Sequence, residues 1–147
     1  MVDGHEIAMA LRGAYLSMHR QADAALSPFA LTANQFVLLA LLNERDGASQ
    51  RDLVDRAASD PNTIRPMLTS LEKKGYVVRE PDPDDGRAWL IRITTQGRRT
   101  FRKVRSETEA FRERLASNLD VHERKSLVRM LGEIVAAMND NVTTDPA

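Results

Sequence analysis

A row of polar residues between positions 62 and 73 has the side-chain types and the spacing that contact DNA bases. In the major groove, arginine donates two hydrogen bonds to guanine, and asparagine pairs with adenine. Threonine suits a thymine methyl group or a phosphate. Ile64, Leu68 and Leu71 recur at helical spacing and predict that the polar row forms the opposite face of an amphipathic helix. The row consists of Asn62, Thr63, Arg65, Pro66, Thr69 and Lys73.

An amphipathic helix taken alone indicates only a solvent-exposed face, so its neighbours decide the interpretation. Ser49 and Asp52 have the spacing of a capping box and predict that a short helix starts there. The polar-faced helix follows after a tight turn and extends to Lys74, and Gly75 is placed to end it in the left-handed conformation. A short helix, a turn and a longer helix are the layout of a helix-turn-helix.

The period of the pattern changes directly after this second helix. Residues 76–80 favour a strand, residues 81–86 are rich in turn formers, and residues 88–94 alternate between apolar and polar. The apolar side of the second strand is predicted to carry Trp89, Ile91 and Ile93. Two strands around a polar tip predict a β-hairpin, the wing of a winged helix-turn-helix.

The predicted hairpin tip carries one arginine and several carboxylates. Arg87 is placed to enter the minor groove, where narrowing deepens the negative potential. Asp85 could brace its guanidinium, although the pair could equally be an ordinary surface ion pair. Asp82, Asp84 and Asp85 would repel phosphates, so at least one of them is expected to be structural.

Helices are predicted on both sides of this core. Residues 5–26 carry apolar side chains at helical spacing, and Thr32 with Gln35 forms a second capping-box pattern. The helix after Thr32 is apolar on nearly every side and is expected to be buried. A long helix is predicted from Thr94 or Thr95 to about residue 118. A final helix, capped by residues 120 and 123, is predicted to reach about residue 139.

The charge is unevenly distributed although its sum is zero. Residues 60–105 hold 11 Lys or Arg against 6 Asp or Glu, a net charge of +5, and the remainder carries −5. Five of these basic residues fall between positions 98 and 105, where they could contact phosphates or simply form a solvated face, with Phe101 and Val104 turned inward. A concentrated basic segment is typical of nucleic-acid binding despite overall neutrality.

Composition and spacing argue against other kinds of site. The chain has no cysteine, which excludes disulfides, thiolate metal sites and a thiol sensor. Its three histidines share no ligand spacing, and no nucleophile arrangement or glycine-rich phosphate loop occurs, so we expect no metal, no cofactor and no enzyme activity. No apolar run approaches the roughly 20 residues of a membrane span, and no signal-peptide pattern occurs, so we expect a cytoplasmic protein.

Four spaced motifs in residues 31–104 resemble those of the MarR family of winged-helix transcriptional regulators. They are Leu-Thr-x-x-Gln-Phe at 31–36, Leu-Glu-Lys-Lys-Gly-Tyr-Val-Val-Arg at 71–79, Asp-Pro-x-Asp-x-Arg-Ala at 82–88 and Ile-Thr-x-x-Gly at 93–97. The resemblance implies a homodimer that binds a palindromic operator, with residues 1–30 and 106–147 as dimerisation helices and residues 31–105 as the winged helix-turn-helix. It also implies a wing arginine, here Arg87, in the minor groove.

The resemblance further implies a small aromatic or anionic effector that releases the protein from DNA. By analogy its site lies near Tyr15, His19 and Phe36, although these residues could equally pack the dimer core. We therefore expect one mainly α (α+β) domain that acts as a DNA-binding regulator, with repression as its expected effect. The alternative is a winged-helix module that binds proteins and has lost DNA binding.

Two residues depart from the family pattern. Pro66 lies inside the predicted DNA-reading helix, where proline removes an amide and crowds the carbonyl four residues back. It is tolerable if the helix begins at Asn62 or Thr63, with Asp60 and Pro61 in the preceding turn. Gly86 occupies a wing position that is often basic, which removes one contact to DNA.

Overall fold

A computed structural model describes residues 1–140, so the last seven residues of the predicted 106–147 segment lie outside the described part. The chain divides into two compact units, residues 1–111 and residues 112–147. The elements in chain order are α1 (Gly4–Leu26), α2 (Ala33–Glu44), α3 (Gln50–Arg56), α4 (Pro61–Lys73), β1 (Val77–Pro81), β2 (Trp89–Ile93), α5 (Thr95–Glu107), α6 (Glu109–Ala116) and α7 (Val121–Asn139). The predicted mainly helical, winged helix-turn-helix architecture is confirmed.

Side-chain caps start most of these helices where the sequence predicts. The capping boxes of Thr32 with Gln35 and of Asp120 with Glu123 are both formed. Ser49 accepts a hydrogen bond from the amide of Asp52, but the reciprocal bond of the predicted capping box is absent from α3. Aspartate is one methylene shorter than the glutamate or glutamine of a capping box, which explains the missing return contact.

Helix α4 begins at Pro61, one or two residues before the predicted start at Asn62 or Thr63. Asp60 is its N-cap and Pro61 its first residue, a position where proline is favoured because the missing amide would be unpaired anyway. Pro66 is therefore the sixth residue, in the second turn, and the carbonyl of Asn62 lacks its usual amide partner. The predicted C-terminus is confirmed at Gly75, which has a φ of 78°.

The hairpin pairs antiparallel, with Val77 opposite Ile93 and Pro81 opposite Trp89. Ile91 and Ile93 are buried as predicted, whereas Trp89 on the same side is 56% exposed. A third segment reinforces the base, since Ala48 and Ile91 exchange two backbone hydrogen bonds of 3.0 and 2.7 Å. The hairpin is thus anchored at its base and extends past the core at its tip.

The core of residues 1–111 surrounds α2. Leu38, Leu39 and Leu42 are fully buried, as the apolar pattern predicts, but Val37 is 41% exposed, so α2 is not enclosed on every side. The buried side chains that pack with α2 come from α3, α4, both strands and α5: Leu53, Ile64, Leu68, Leu71, Val77, Ile91, Ile93, Phe101 and Val104.

The single long helix predicted after Thr94 is wrong, because it is broken at Thr108. Helix α5 ends at Glu107 and α6 begins at Glu109. The Thr108 hydroxyl donates to the carbonyl of Val104 at 2.7 Å, and the amide of Thr108 donates to the same oxygen. Thr108 leaves the helical conformation, with a φ of −104° and a ψ of 15°, and a threonine hydroxyl that bonds back to the preceding turn favours such a bend. Within residues 1–140, no single helix is both long and apolar enough to cross a membrane.

Gly97, in the first turn of α5, allows this helix to start directly against the hairpin. A Cβ atom at position 97 would lie 2.2 Å from the carbonyl oxygen of Tyr76 and 2.9 Å from Cγ1 of Ile93. The same Tyr76 carbonyl accepts from the amide of Thr94 at 3.0 Å, so the backbone there is already fixed. The motif glycine is therefore required by a close backbone approach.

We expect Gly97→Ala to lower the free energy of unfolding by about 1–3 kcal/mol, the usual cost of overpacking a filled site. Gly13→Ala is the matched control, because a Cβ at position 13 of α1 meets nothing within 4 Å. The control should leave stability unchanged or raise it by up to about 1 kcal/mol. Urea unfolding followed by circular dichroism measures both, and equal stability of the two variants would show that the approach at Gly97 relaxes freely.

Candidate nucleic-acid interface

Helix α4 gathers six of the predicted DNA-contacting residues on one exposed face. Ile64, Leu68 and Leu71 are at most 1% exposed and fix the opposite face against the core. Because the apolar stripe is completely buried, the polar face on the opposite side of the helix points into solvent. The six exposed residues are Asn62, Thr63, Arg65, Pro66, Thr69 and Lys73.

The two cationic side chains of this face make no polar contact with other described residues of the protein. Within residues 1–140, the side chains of Arg65 and Lys73 form no ion pair and no hydrogen bond. Nearby arginines differ, since Arg79 contacts Glu72 at 3.5 Å and Arg92 contacts Glu80 at 2.7 Å. The positive charges of Arg65 and Lys73 are therefore available on the outward face of α4, where they can meet a phosphate or a base.

The two threonines of the face have already donated their hydroxyl protons. Thr63 Oγ1 donates to Asp60 Oδ2 at 2.8 Å, and Thr69 Oγ1 donates to the carbonyl of Arg65 at 3.1 Å. The hydroxyl of Thr63 is also the main cause that lowers the pKa of Asp60, with its backbone amide second. Each threonine therefore offers a ligand its methyl group and its oxygen lone pairs.

The hairpin tip holds Arg87 exposed, but Asp85 does not brace it as predicted. Asp85 Oδ1 accepts from the backbone amide of Arg87 at 3.1 Å, and the predicted ion pair with the guanidinium is absent. Asp82 Oδ1 likewise accepts from the amide of Asp84 at 2.9 Å. An aspartate two residues before an amide readily closes this kind of local turn. At least two of the three tip carboxylates are thus structural, and the guanidinium of Arg87 is unpaired within residues 1–140.

Several residues hold α4 in place that the sequence pattern did not indicate. Ser70 accepts from Gln35 Nε2 at 3.0 Å, and Lys74 Nζ donates to the carbonyl of Ala30. Thr94 Oγ1 donates to the carbonyl of Gly75 at 2.6 Å just beyond the helix end. The local pattern predicts only a capping role for Gln35. Its second contact joins α2 to a residue 35 positions away, which a local pattern cannot reveal.

The basic segment of residues 98–105 is divided between internal and external roles. Phe101 and Val104 are buried as expected, and Arg98 donates to Asp46 Oδ2 at 3.0 Å. Arg99, Arg102 and Lys103 are exposed. Part of this segment therefore stabilises the fold, and the exposed part adds positive charge to the same unit as α4.

The three predicted effector residues are not all brought together. The rings of Tyr15 and His19 stack with centroids 5.5 Å apart, and His19 Nε2 lies 3.3 Å from Asp23 Oδ2. Phe36 instead packs against Phe101, with ring centroids 5.1 Å apart, at the edge of the core. No group of three or more His, Asp or Glu side chains within residues 1–140 is arranged to hold a metal ion.

The comparisons with known proteins agree on one family. The MarR family model matches residues 31–89, the segment that contains α2, the helix-turn-helix and most of the hairpin. The HTH-type transcriptional regulator YdgJ of Bacillus subtilis is 32% identical over 112 residues, which cover 76% of this chain and 66% of YdgJ.

Solved structures share the fold over nearly the whole chain. The transcriptional repressor CouR, bound to a 23-mer DNA duplex, is 26% identical with a TM-score of 0.78 over 92% of this chain and 99% of that one. BpsR of Bordetella bronchiseptica, whose DNA binding is regulated by 6-hydroxynicotinic acid, is 26% identical with a TM-score of 0.79. That match covers 88% of this chain and 98% of BpsR. All three relatives are named for regulation or DNA binding rather than for catalysis.

Proposed function

Because this chain belongs to the MarR family, we propose that it is a sequence-specific DNA-binding regulator that represses transcription from a palindromic operator. The observation that carries the proposal is the outward face of α4, where Arg65 and Lys73 lie exposed and unpaired on the same side of the helix as Asn62 and Thr69. CouR, a repressor of the same fold solved on a DNA duplex, supports it.

In this proposal α4 enters the major groove and the hairpin follows the adjacent minor groove. Arg65 is assigned to guanine, Asn62 to adenine or a phosphate, and Lys73 to a phosphate. The methyl groups of Thr63 and Thr69 and the ring of Pro66 supply apolar contacts to thymine. Arg87 enters the minor groove while Asp85 holds the turn, and the open Gly86 beside them contributes no side-chain contact.

We propose that the molecule acts as a homodimer through its terminal helices, residues 1–30 and 106–147. On α1, Ile7, Met9 and Leu16 are 39–56% exposed within the single chain. On α7 the exposed apolar side chains are Val121, Leu127, Val128, Met130, Leu131, Val135 and Met138. Apolar surface of this extent marks an interaction site on a protein of this size. A two-fold dimer would bind half-sites about 34–36 Å apart, which makes the operator palindromic.

We also propose an aromatic or anionic effector that contacts Tyr15 and His19. Their stacked rings offer a partly exposed aromatic surface with a nitrogen donor beside it. BpsR, which responds to 6-hydroxynicotinic acid, supports this class of ligand. Phe36 is proposed as a separate contact from α2, where its partly buried ring packs against Phe101.

The second candidate, a winged-helix module that binds only proteins, is favoured by the zero net charge and by the acidic tip. The salt dependence of binding to duplex DNA distinguishes the DNA-binding regulator from the protein-binding module. The logarithm of a DNA affinity falls linearly with the logarithm of salt concentration, by about 0.9 for each phosphate contacted.

We expect Arg65→Ala to cost about 1–3 kcal/mol of binding to a duplex that the unmodified protein selects from a randomised pool, and to relax its base preference. Arg87→Ala should weaken binding and leave the dimer intact. Gel shifts at several salt concentrations measure both, with Arg45→Ala, an exposed residue at the end of α2, as the charge-matched control. Unchanged affinity in both test variants would contradict the assigned interface. No salt-dependent binding of the unmodified protein would favour the protein-binding module.

We expect Val135→Asp to convert the dimer to a monomer, because it places a charge in the apolar surface of α7. Sedimentation equilibrium measures the mass. Val78→Asp is the control, since Val78 is 39% exposed on the hairpin and lies outside the proposed dimer surface. A monomeric unmodified protein, or a Val135→Asp variant that remains dimeric, would contradict this interface.

We expect 6-hydroxynicotinic acid, used as the probe, to weaken binding to the selected duplex. Tyr15→Ala should raise the concentration required by about fivefold, the cost of losing one aromatic contact of about 1 kcal/mol. Tyr15→Phe keeps the stacked ring and should respond like the unmodified protein. If Tyr15→Ala responds normally, the effector does not use this surface.

A further inference from the structure

The loop between α2 and α3 carries an acidic residue, Asp46, that forms the densest polar junction at the base of the hairpin. Its Oδ1 atom accepts from the amides of Gly47 at 3.0 Å and Ile93 at 3.1 Å. Its Oδ2 atom lies 3.0 Å from Arg98 Nη2 and 3.9 Å from Arg92 Nη1. One carboxylate therefore joins the loop between α2 and α3, strand β2 and the start of α5.

The backbone around this junction is shaped to bring the loop against the strand. Gly47 has a φ of 77°, and a Cβ there would lie 3.0 Å from Arg92 Nη1. Ala48 follows with its two backbone hydrogen bonds to Ile91. Asp46 and Ala48 thus hold β2 through hydrogen bonds to Ile93 and Ile91, both of which are buried.

The far end of the hairpin has no comparable support. Residues 83–87 are all exposed, and the hydrogen bonds of Asp82 and Asp85 stay within the turn. From Ile93 to Trp89, β2 spans about 13 Å at roughly 3.3 Å per residue, and Arg87 lies two residues beyond it. A tilt of about 10° at the base would move the end of the strand by about 2 Å, more than the distance range that a hydrogen bond tolerates. The direction of Arg87 is therefore set at the base.

Asp46 also forms ion pairs with two arginines beside the hairpin. The ion-pair partner of Arg98 is the carboxylate of Asp46. Arg92 contacts two carboxylates, those of Asp46 and Glu80. Positive charge without a partner attracts any duplex, whatever its sequence. Pairing these two arginines keeps that non-specific attraction low while Arg65 and Arg87 remain available.

We propose that Asp46 is a positioning residue for Arg87, fixing the base of the hairpin so that the arginine at its tip meets the minor groove. This inference rests on the proposed DNA binding. Asp46 touches no DNA itself; it acts through Ile93, Arg92 and Arg98. It favours the selected sequence over other DNA, since it aligns Arg87 and pairs with Arg98.

The test is a double-mutant cycle on the duplex that the unmodified protein selects. We expect Asp46→Ala to weaken binding about tenfold, within the range for losing one arginine contact. In the Arg87→Ala background the same change should cost less than about twofold, because the contact it positions is already gone. In the Arg65→Ala background it should again cost about tenfold. Equal costs in all three backgrounds would overturn the proposal, since a general loss of structure would act alike in each.

Three further measurements keep the outcomes distinct. Affinity for a scrambled duplex should not fall in Asp46→Ala, because a negative charge has been removed; a fall equal to that on the selected duplex would overturn the proposal. Asp55→Asn removes a charge from α3 whose carboxylate has no partner within residues 1–140, and it should leave the selected-duplex affinity unchanged. In the DNA-free protein, the amide of Ile93 should exchange hydrogen faster in Asp46→Ala, and unchanged exchange would also overturn the proposal. If the unmodified protein selects no sequence, the proposed function itself fails, and the exchange result still decides whether Asp46 holds the hairpin.

Discussion

The burial of three side chains of α4 is the constraint on which the rest of the molecule depends. Ile64, Leu68 and Leu71 lie against α2 with almost no exposed surface, and this fixes the rotation of α4 about its own axis. A rotation of one residue position, about 100°, would bury polar groups and expose the stripe. The hydrogen bond from Gln35 to Ser70 and the contact of Lys74 with Ala30 secure the same rotation from the side. The DNA-facing surface is therefore a consequence of core packing.

The parts of the fold that the sequence predicted are those encoded within a few residues. Caps such as Thr32 with Gln35, the glycine at position 75 and the alternation before Ile93 all act over short distances, so their patterns are readable. The errors were local as well. The sequence predicts one helix from Thr94 or Thr95 to about residue 118, and the structure interrupts it at Thr108, whose hydroxyl bonds back to the carbonyl of Val104.

The sequence predicts which residues form the candidate interface, but it does not predict the contacts that hold those residues in place. The exposed face of α4 follows from the apolar period, so its members could be named in advance. The contact of Asp46 with the amide of Ile93 joins residues 47 positions apart, and no local pattern contains it. Asp85 illustrates the same limit at short range. Its charge suggested a guanidinium partner, whereas the nearest donor in the turn is the backbone amide of Arg87.

The exposed position of Trp89 has a practical consequence. It is the only tryptophan in the chain and lies on the hairpin strand two residues from Arg87, opposite Pro81 and more than half exposed. Indole emission depends on its surroundings, so the intrinsic fluorescence of this protein is an unlabelled signal from one end of the wing. Docking of the hairpin in a groove, or a change in its mobility, would be visible as a spectral shift or a change in anisotropy without any added dye.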